Sequence, residues 1–339
     1  MRNISNFKFN LIFVIIFLII ILLYQWRICN HIKEINKFYK IKSHSYRHDL
    51  ARDSTGTLPF ISGSNLVFIS DYVYDRKVQN IEPVNQLKNG DILFVDIDYT
   101  NEFFNSIYPK IKTKFILITH NGDLSTDIKH MKYLDQDKIL AWFGQNTGFK
   151  HPKHIAIPIG IENTYFFPSI NKINYLRNYL FQFDYNSIPW ENRKYLLYAS
   201  HSPNTNLKHR SYLSDMFKSF ENSLILTQKE NYTMYLKHMS ESKYVLCPKG
   251  NGIDTHRFYE TILMGAIPIV EKSLLDELYS KTTSLIVNKY SDLNIEILKN
   301  PYKHIKNMNF SKDILFMEYW LNQIKQYKPE LDVRKLTQY

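Results

Sequence analysis

The sequence predicts an α/β protein in which helices cover parallel sheets. From Leu66 onward, short apolar runs rich in Ile, Val and Phe alternate with polar stretches long enough for helices. This alternation is typical of parallel strands that are buried on both faces. The chain has 339 residues, and at about 150 residues per domain this length predicts two domains behind a short leader.

Composition narrows the class of protein. Aromatic residues make up 15% of the chain, with 25 Tyr and 22 Phe, which is typical of a well-packed globular protein and not of a disordered one. The net charge of +11 would suit nucleic acid, an anionic membrane surface or a pocket for an acidic ligand. The lysines are scattered among Asn and Ile and form no stripe, so we predict no nucleic-acid partner.

The N-terminal region predicts a membrane anchor and a stem. Leu11–Tyr24 is unbroken apolar sequence, and residues 9–26 approach the roughly 17 residues that a short membrane span needs. No small-residue cleavage site follows, so we predict that 9–26 is an uncleaved signal anchor behind a tail of residues 1–8. Residues 27–56 are polar and basic, as expected of a stem.

A first Rossmann-like domain is predicted over residues 57–187, with the linker to the second domain near Ser187–Trp190. In parallel sheets functional residues gather beyond the carboxyl ends of strands. The predicted strands of this domain are Leu66–Ser70, Ile92–Asp96, Phe115–Thr119, Ile139–Phe143 and Ile155–Ile159.

Two strand ends of the first domain carry candidate chemistry. Asp96 and Asp98 form a D-x-D pair of the kind that holds a divalent metal. His120 and Asp123 follow the next strand, where either side chain can take a proton from an attacking hydroxyl. The intervening Asn121-Gly122 is also simply a good turn.

The segment from Tyr244 to Val270 predicts a strand, a loop, a helix and a second strand. Pro248 ends the first strand because it cannot donate to the ladder. Asp254 or Thr255 can cap the helix, and Gly265 stands where a helix C-terminus favours a residue with positive φ. A glycine loop that leads into a helix N-terminus gathers free N–H groups and suits a phosphate.

The first turns of this predicted helix combine a cation with a carboxylate. Arg257 offers a forked cation near the helix start, and Glu260 lies on the same face three residues later. A carboxylate can accept both hydroxyls of a ribose. Phosphate and ribose contacts together indicate a nucleotide.

These residues also carry a resemblance. The segment Asp254–Glu260, with the sequence Asp-Thr-His-Arg-Phe-Tyr-Glu, and the following Gly265–Val270 resemble the donor-binding signature of exostosin-like glycosyltransferases. That group includes the exostosins and the ribitol xylosyltransferase. A weaker likeness covers Leu117–Asp123 and His151–Asn163. Phe258-Tyr259 departs from the pattern, since many relatives carry Trp next to Glu, and this leaves the identity of the donor open.

The resemblance implies a GT-B fold, with two facing Rossmann-like domains. It implies transfer of a sugar from a UDP-sugar to a hydroxyl of a glycan or glycoprotein acceptor, with inversion. The nucleotide sugar would be a substrate, with no obligatory cofactor and no metal. It further implies a type II membrane protein of the Golgi or ER with a luminal catalytic domain. The second domain would span residues 188–318, and residues 319–339 would form a C-terminal helix and tail that return to the first domain.

The resemblance and the motif together assign the site. His120 or Asp123 would be the catalytic base. The predicted donor-binding residues are Arg210, Lys249, Gly250, Gly252, Asp254, Thr255, His256, Arg257 and Glu260. Two alternatives stay open, namely a metal-dependent GT-A-type transferase that uses Asp96 and Asp98, and a non-catalytic protein that binds a sugar or a nucleotide.

Overall fold

The structure is a computed structural model that describes residues 57–75, 85–163, 172, 174–176, 180, 188–305 and 308–328. These residues all belong to one compact unit, Leu50–Tyr339. The predicted anchor at 9–26 and the predicted stem at 27–56 lie outside the described residues. Within the described residues, no helix combines the length and the apolar character that a membrane crossing requires.

The described strands form two five-stranded sheets, and every strand pair in them is parallel. The predicted α/β class is therefore confirmed. The strands are β1 (Tyr72–Tyr74), β2 (Asp91–Asp96), β3 (Phe115–His120), β4 (Ile139–Gly144), β5 (His154–Ala156), β6 (Tyr195–Ala199), β7 (Ser223–Ile225), β8 (Ser242–Leu246), β9 (Ile267–Glu271) and β10 (Leu285–Val287).

Helices connect most of these strands. The α-helices of the described residues are α1 (Gly63–Ile69), α2 (Thr100–Glu102), α3 (Leu207–Arg210), α4 (Leu213–Phe217), α5 (Tyr232–Ser240), α6 (His256–Leu263), α7 (Asp276–Tyr279), α8 (Ile295–Lys299), α9 (Pro301–His304) and α10 (Met317–Lys325). Other helical turns lie at Ile97–Tyr99, Phe103–Ile107, Tyr108–Lys110, Ile128–Tyr133, Trp190–Asn192, Pro203–Thr205, Tyr290–Asp292 and Asp313–Leu315.

One predicted strand is wrong. Leu66–Ser70 lies almost wholly within helix α1, and the first strand begins only at Tyr72. The side chain of Ser62 caps the helix by accepting a hydrogen bond from the backbone N–H of Asn65. A short apolar run does not distinguish a buried helix from a buried strand, and the serine cap decides between them here.

Aromatic side chains fill the core on one face of the first sheet. Phe104 stacks on Tyr133 with ring centroids 4.4 Å apart and lies 5.4 Å from the ring of Trp142. The helical turns between β2 and β3 supply Phe103 and Phe104, both of which are almost fully buried. This packing fixes β3 and β4, whose carboxyl ends carry the polar residues described below.

The segment around residues 315–317 contacts residues near the start of the described chain. The backbone N–H of Ile61 donates to Leu315, and that of Met317 donates to Pro59. The rings of Phe60 and Phe316 stack at 5.7 Å. Helix α10 is therefore anchored beside the start of the first domain although it follows the second domain in sequence.

The two sheets differ in strand order. The first runs β1-β2-β3-β4-β5 in chain order, whereas the second runs β10-β9-β8-β6-β7. In the second sheet β7 pairs with one edge of β6 and β8 pairs with the other. The direction of winding therefore reverses between β6 and β8. Ligands of open parallel sheets bind in the crevice at such a reversal, beyond the carboxyl ends of the strands.

A buried histidine of the first sheet predicts a pH-dependent stability. His154 is 8% exposed, and its Nδ1 lies 3.2 Å from the carbonyl oxygen of Phe149. Burial lowers the pKa of His154 from 6.5 to about 4. The unfolded chain therefore binds a proton below pH 6.5 that the folded chain does not bind, so stability falls as the pH falls towards 4.

We expect His154 to lower the free energy of unfolding by about 1 kcal/mol between pH 6.5 and about 5.5. Urea unfolding of the wild type and of His154→Gln measures this contribution as the difference between the two pH dependences. Equal slopes for the two proteins would show that His154 has an ordinary pKa in the folded state.

Candidate functional site

The segment after β8 has the predicted strand, loop, helix and strand order. The loop runs from residue 247 to 255, helix α6 begins at His256, and β9 begins at Ile267. Gly265 has φ of +70° and ends the helix, as predicted. This loop and the start of α6 therefore lie at the carboxyl end of β8, next to the reversal between β6 and β8.

Gly252 is required by a close contact with the first domain. A Cβ atom at this position would lie 2.7 Å from Nδ2 of Asn146 and 3.2 Å from the carbonyl oxygen of Asp123. The backbone of Gly252 does not have a positive φ. Its small size, rather than unusual backbone geometry, lets the loop approach the first domain.

Asp254 is fully buried and fully hydrogen-bonded. Its Oδ2 accepts from the backbone N–H of Ile159 at 2.8 Å and from the hydroxyl of Tyr259 at 2.6 Å. Its Oδ1 accepts from the N–H of Thr255 and from the hydroxyl of Tyr279, both at 3.0 Å. Burial raises the pKa of Asp254, although these four hydrogen bonds act in the opposite direction. Asp254 thus joins the start of α6 to a loop of the first domain.

Asn146 completes this junction and was not predicted from the sequence. Its Oδ1 accepts from the N–H of Asp254 at 2.9 Å, and its Nδ2 donates to the carbonyl of Asp123 at 3.3 Å. Asn146 is fully buried and has φ of +50°, a conformation that asparagine tolerates better than most residues. The sequence signal for it is a polar Gln145-Asn146 pair directly after the buried strand β4.

Histidines hold the same first-domain loop from two sides. Nδ1 of His256, at the start of α6, lies 2.7 Å from the carbonyl oxygen of Gly160. Nε2 of His120, at the end of β3, lies 3.0 Å from the carbonyl oxygen of Pro158. Together with Asp254, these contacts place the carboxyl ends of the two sheets against each other.

Arg257 is the predicted phosphate contact, and it is only partly hydrogen-bonded. Its Nε donates to the hydroxyl of Tyr235 at 3.2 Å, and its guanidinium carbon lies 5.5 Å from the centre of that ring. Its Nη1 is buried and has no hydrogen-bond partner among the described residues. A buried charged donor without a partner is costly, so Nη1 is the atom that a bound anion would satisfy.

Glu260 lies one turn further along α6 and accepts two tyrosine hydroxyls. Tyr232 donates to Oε1 at 2.6 Å and Tyr235 donates to Oε2 at 2.9 Å. The carboxylate is 7% exposed. Burial and the charge of Glu260 raise the pKa of both tyrosines well above 10. Each carboxylate oxygen has a second lone pair, so Glu260 retains capacity to accept from a ligand hydroxyl.

Arg210 fastens the two loops that flank the reversal between β6 and β8. Its Nε donates to the carbonyl of Lys249 at 2.9 Å and its Nη2 donates to that of Pro248 at 2.8 Å. Nη1 lies 3.4 Å from the carbonyl oxygen of Ser202. Burial, reinforced by the nearby charge of Arg257, lowers the pKa of Arg210 to about 10. A Cβ on Gly250 would lie 3.2 Å from Nη2, so this glycine leaves room for the guanidinium.

The remaining predicted donor-binding residues surround this position. Thr255 stands at the N-cap of α6 with extended backbone, and its side chain makes no capping hydrogen bond. Lys249 is half-buried in the loop. The structure therefore brings the predicted donor residues together around the start of α6, but it gives Asp254, His256 and Arg210 contacts within the protein.

The two candidate bases lie in different surroundings. His120 is 1% exposed, and its Nδ1 lies 3.1 Å from Oδ1 of Asn121 while its Nε2 faces Pro158. Burial lowers the pKa of His120 to about 4. Asp123 is exposed, and its Oδ2 accepts from Nδ2 of Asn251 in the glycine loop at 3.2 Å. Both assignments stay predictions, and accessibility favours Asp123.

The pair of Asp96 and Asp98 stabilises a helical turn. Oδ1 of Asp96 accepts from the N–H of Asp98 at 3.1 Å and so caps the helical turn that follows β2. Asp96 is 4% exposed, whereas Asp98 is exposed. Within the part of the chain that the structure describes, no three His, Cys, Asp or Glu side chains are grouped for a metal ion.

The contacts of Asp254 lead to a stability prediction. All four of its partners donate hydrogen bonds, and two of them are backbone N–H groups that cannot act as acceptors. The NH₂ group of an asparagine would face at least one of these N–H groups. We expect Asp254→Asn to reduce the free energy of unfolding by about 1–3 kcal/mol, as measured by urea unfolding.

Asp215→Asn is the matched control, because the Asp215 side chain is 78% exposed. That substitution should change the free energy by less than about 0.5 kcal/mol. If Asp254→Asn kept full stability but lost nucleotide binding, Asp254 would be a ligand contact, as the sequence predicted, and its structural role would be wrong.

Comparison with known proteins gives a family match for the second half of the chain. Residues 173–331 match the family model described as the RXYLT1 C-terminal domain. No curated protein sequence matches the chain. Two solved structures share weak similarity. A trehalose-6-phosphate enzyme from E. coli bound with UDP-2-fluoro glucose is 11% identical, with a TM-score of 0.36 over 76% of this chain and 75% of that one.

The second is the α,α-trehalose 6-phosphate synthase of Burkholderia multivorans, which is 10% identical, with a TM-score of 0.34 over 73% of this chain and 70% of that one. The family match contains all of the predicted donor-binding residues. The resemblance to the exostosin-like group is thus confirmed by the family comparison. Residues 173–331 are thus similar to the C-terminal domain of the ribitol xylosyltransferase of that group.

Proposed function

We propose that this protein is a GT-B glycosyltransferase that moves a sugar from a nucleoside diphosphate donor, expected to be a UDP-sugar, to a hydroxyl of a glycan. The observation that carries the proposal is the buried, unpartnered Nη1 of Arg257 at the start of α6. The family match supports the glycosyltransferase part of the proposal.

The diphosphate would bind between the glycine loop and the start of α6. The first N–H groups of a helix have no intrahelical acceptor, and the positive end of the helix dipole favours an anion there. Arg257 adds a full positive charge beside them. The position of the glycine loop supports a diphosphate site here, because the loop follows β8 at the reversal of strand order in the second sheet.

The ribose would lie one turn further along the same helix. Residues three apart on a helix are neighbours, so Arg257 and Glu260 are spaced to hold the phosphate and the ribose of one nucleotide. Tyr232 and Tyr235 hold both carboxylate oxygens in place. A ribose hydroxyl would donate to a remaining lone pair of Glu260 or displace one tyrosine hydroxyl.

In the proposed reaction, the oxygen of the acceptor hydroxyl attacks the anomeric carbon. The bond from that carbon to the diphosphate breaks, and its electron pair stays on the phosphate oxygen. Arg257 and the helix N-terminus would stabilise this charge, which is the main electrostatic demand of the reaction. The hydroxyl proton would pass to a base, for which Asp123 is exposed and lies next to the glycine loop. Inversion is implied by the family resemblance.

The proposed location of the protein in the cell is based on the sequence alone. The apolar stretch at 9–26 would anchor the protein in the membrane, and the resemblance implies a luminal catalytic domain in the Golgi or ER. A glycan or glycoprotein acceptor would then meet the enzyme in that lumen.

We expect UDP to raise the melting temperature of the full-length protein, because a ligand that binds only the folded state stabilises it by mass action. Arg257→Gln should abolish most of this shift without unfolding the protein, since the side chain gives up one hydrogen bond and an unpaired buried charge. Glu260→Gln should weaken the shift less, because an amide oxygen still accepts from one hydroxyl. Melting curves with UDP, UMP, GDP and free uridine measure these effects.

Lys218→Gln is the control, since it removes the same charge from an exposed side chain of the second domain. It should bind like the wild type. Repeating the titration with manganese tests the Asp96 and Asp98 alternative, because a shift that requires manganese and disappears in Asp98→Ala would replace the present proposal. Absence of any nucleotide-dependent shift, or an undiminished shift in Arg257→Gln, would overturn the nucleotide site.

A further inference from the structure

A second buried nitrogen without a partner lies at the same reversal of the second sheet. His201 follows β6 and is 3% exposed. Its Nε2 lies 3.1 Å from the carbonyl oxygen of Arg210. A carbonyl can only accept, so Nε2 carries the proton of the neutral ring and Nδ1 is left with a lone pair. Nδ1 is buried and has no hydrogen-bond partner within the described residues.

The surroundings of His201 are positively charged. Arg257 projects from α6 and Arg210 from α3, and both act on the imidazole. Burial, with these two charges, lowers the pKa of His201 to about 4. The nearby thiol of Cys247 is neutral, because burial raises its pKa to about 12. In the ligand-free protein, Arg210 and Arg257 therefore lie near a neutral, buried His201 whose Nδ1 has no hydrogen-bond partner among the described residues.

This arrangement favours an anion. Nη1 of Arg257 and Nδ1 of His201 are both buried without a hydrogen-bond partner among the described residues, which costs free energy. A diphosphate offers several acceptor oxygens and negative charge at once. A negative charge within about 4–6 Å favours the charged form of an imidazole, so the anion would reverse the effect of the arginines.

We propose that His201 contacts the diphosphate of the donor as an imidazolium and takes up one proton from solvent when the diphosphate binds. The inference rests on the proposed nucleotide function of this site. The incoming proton is added at Nδ1, which then donates to a phosphate oxygen, while Nε2 keeps its proton and still donates to the carbonyl oxygen of Arg210. During transfer, the positive ring faces the electron pair that the breaking sugar–oxygen bond leaves on the phosphate.

Proton uptake on binding makes the affinity for the diphosphate depend on pH in a predictable direction. The ring is neutral in the free protein and charged in the complex, so lower pH favours the complex. Affinity for the diphosphate should therefore fall as the pH rises towards the pKa of the bound ring, by up to about tenfold per pH unit, and should level off above that pKa. A histidine that served only the packing of this loop would show no such linkage.

The test is calorimetric titration of the full-length protein with UDP and with inorganic pyrophosphate, in buffers of different ionisation enthalpy, between pH 6.5 and 8.0. The heats give the number of protons taken up. Wild type should take up more protons per bound diphosphate than His201→Gln, and its Kd should rise at least about threefold more across this range. The matched control is His304→Gln, which replaces an exposed histidine of the same domain and should behave like wild type.

The outcomes separate this inference from the proposed function. If UDP binds, Arg257→Gln loses binding, and His201→Gln matches the wild type in both proton uptake and pH dependence, then the role of His201 is wrong and the nucleotide site stands. If pyrophosphate shows proton uptake that depends on His201 but UDP does not bind, the anion site stands and the nucleotide proposal fails. If neither ligand binds the wild type, both are overturned.

Folding of the variant is checked by its melting temperature. Should His201→Gln not fold, the proton count of the wild type alone decides the question. Free UDP at about pH 7.5 is almost fully ionised and has almost no proton to release. The positive charge of Arg257 and Arg210 disfavours protonation of the bound phosphate, so net proton uptake is assigned to the protein. A count of zero or net release would contradict the proposal.

Discussion

The buried carboxylate of Asp254 is the interaction on which the arrangement of the two domains depends. An isolated carboxylate in this position would be very unfavourable, and four donated hydrogen bonds offset that cost. One donor is Ile159 of the first domain, and Thr255 belongs to the N-cap of α6. Asn146 binds the backbone of the same aspartate from the first domain. Asp254 therefore ties α6 to the first-sheet side of the junction, and the contacts of Asn146 and His256 reinforce this link.

That constraint separates residues that hold the site from residues that remain available to a ligand. Asp254, His256 and Arg210 contact backbone groups of the protein and so fix the loops. Arg257 and His201 lie in the same region, yet each keeps a buried nitrogen without a partner. Native proteins leave few such atoms unsatisfied. The contrast supports the proposed anion site at the reversal between β6 and β8 with an observation that does not depend on a sequence motif.

The sequence predicted those features that depend on near neighbours in the chain. The α/β class, the order of elements around α6, the positive φ of Gly265 and the shared face of Arg257 and Glu260 all follow from local spacing. Contacts across the chain could not be predicted in this way. Asn146 and Asp254 are 108 residues apart, and nothing within either segment indicates the other. The same limit explains α1, where the capping serine outweighs an apolar run that suits a strand equally well.

Tyr235 explains how the arginine of this site stays available to a ligand beside a carboxylate. Its hydroxyl accepts from Nε of Arg257 and donates to Oε2 of Glu260, so it stands between the two charges. Without it, a buried arginine three residues from a glutamate could form a direct bidentate pair, which would use two of the five N–H donors of the guanidinium and offset its charge. With the tyrosine in place, Glu260 is satisfied by hydroxyls and Arg257 keeps Nη1 unbonded. The tyrosine thereby preserves a free cation and an oriented carboxylate on one helix face, at the spacing that a nucleotide requires.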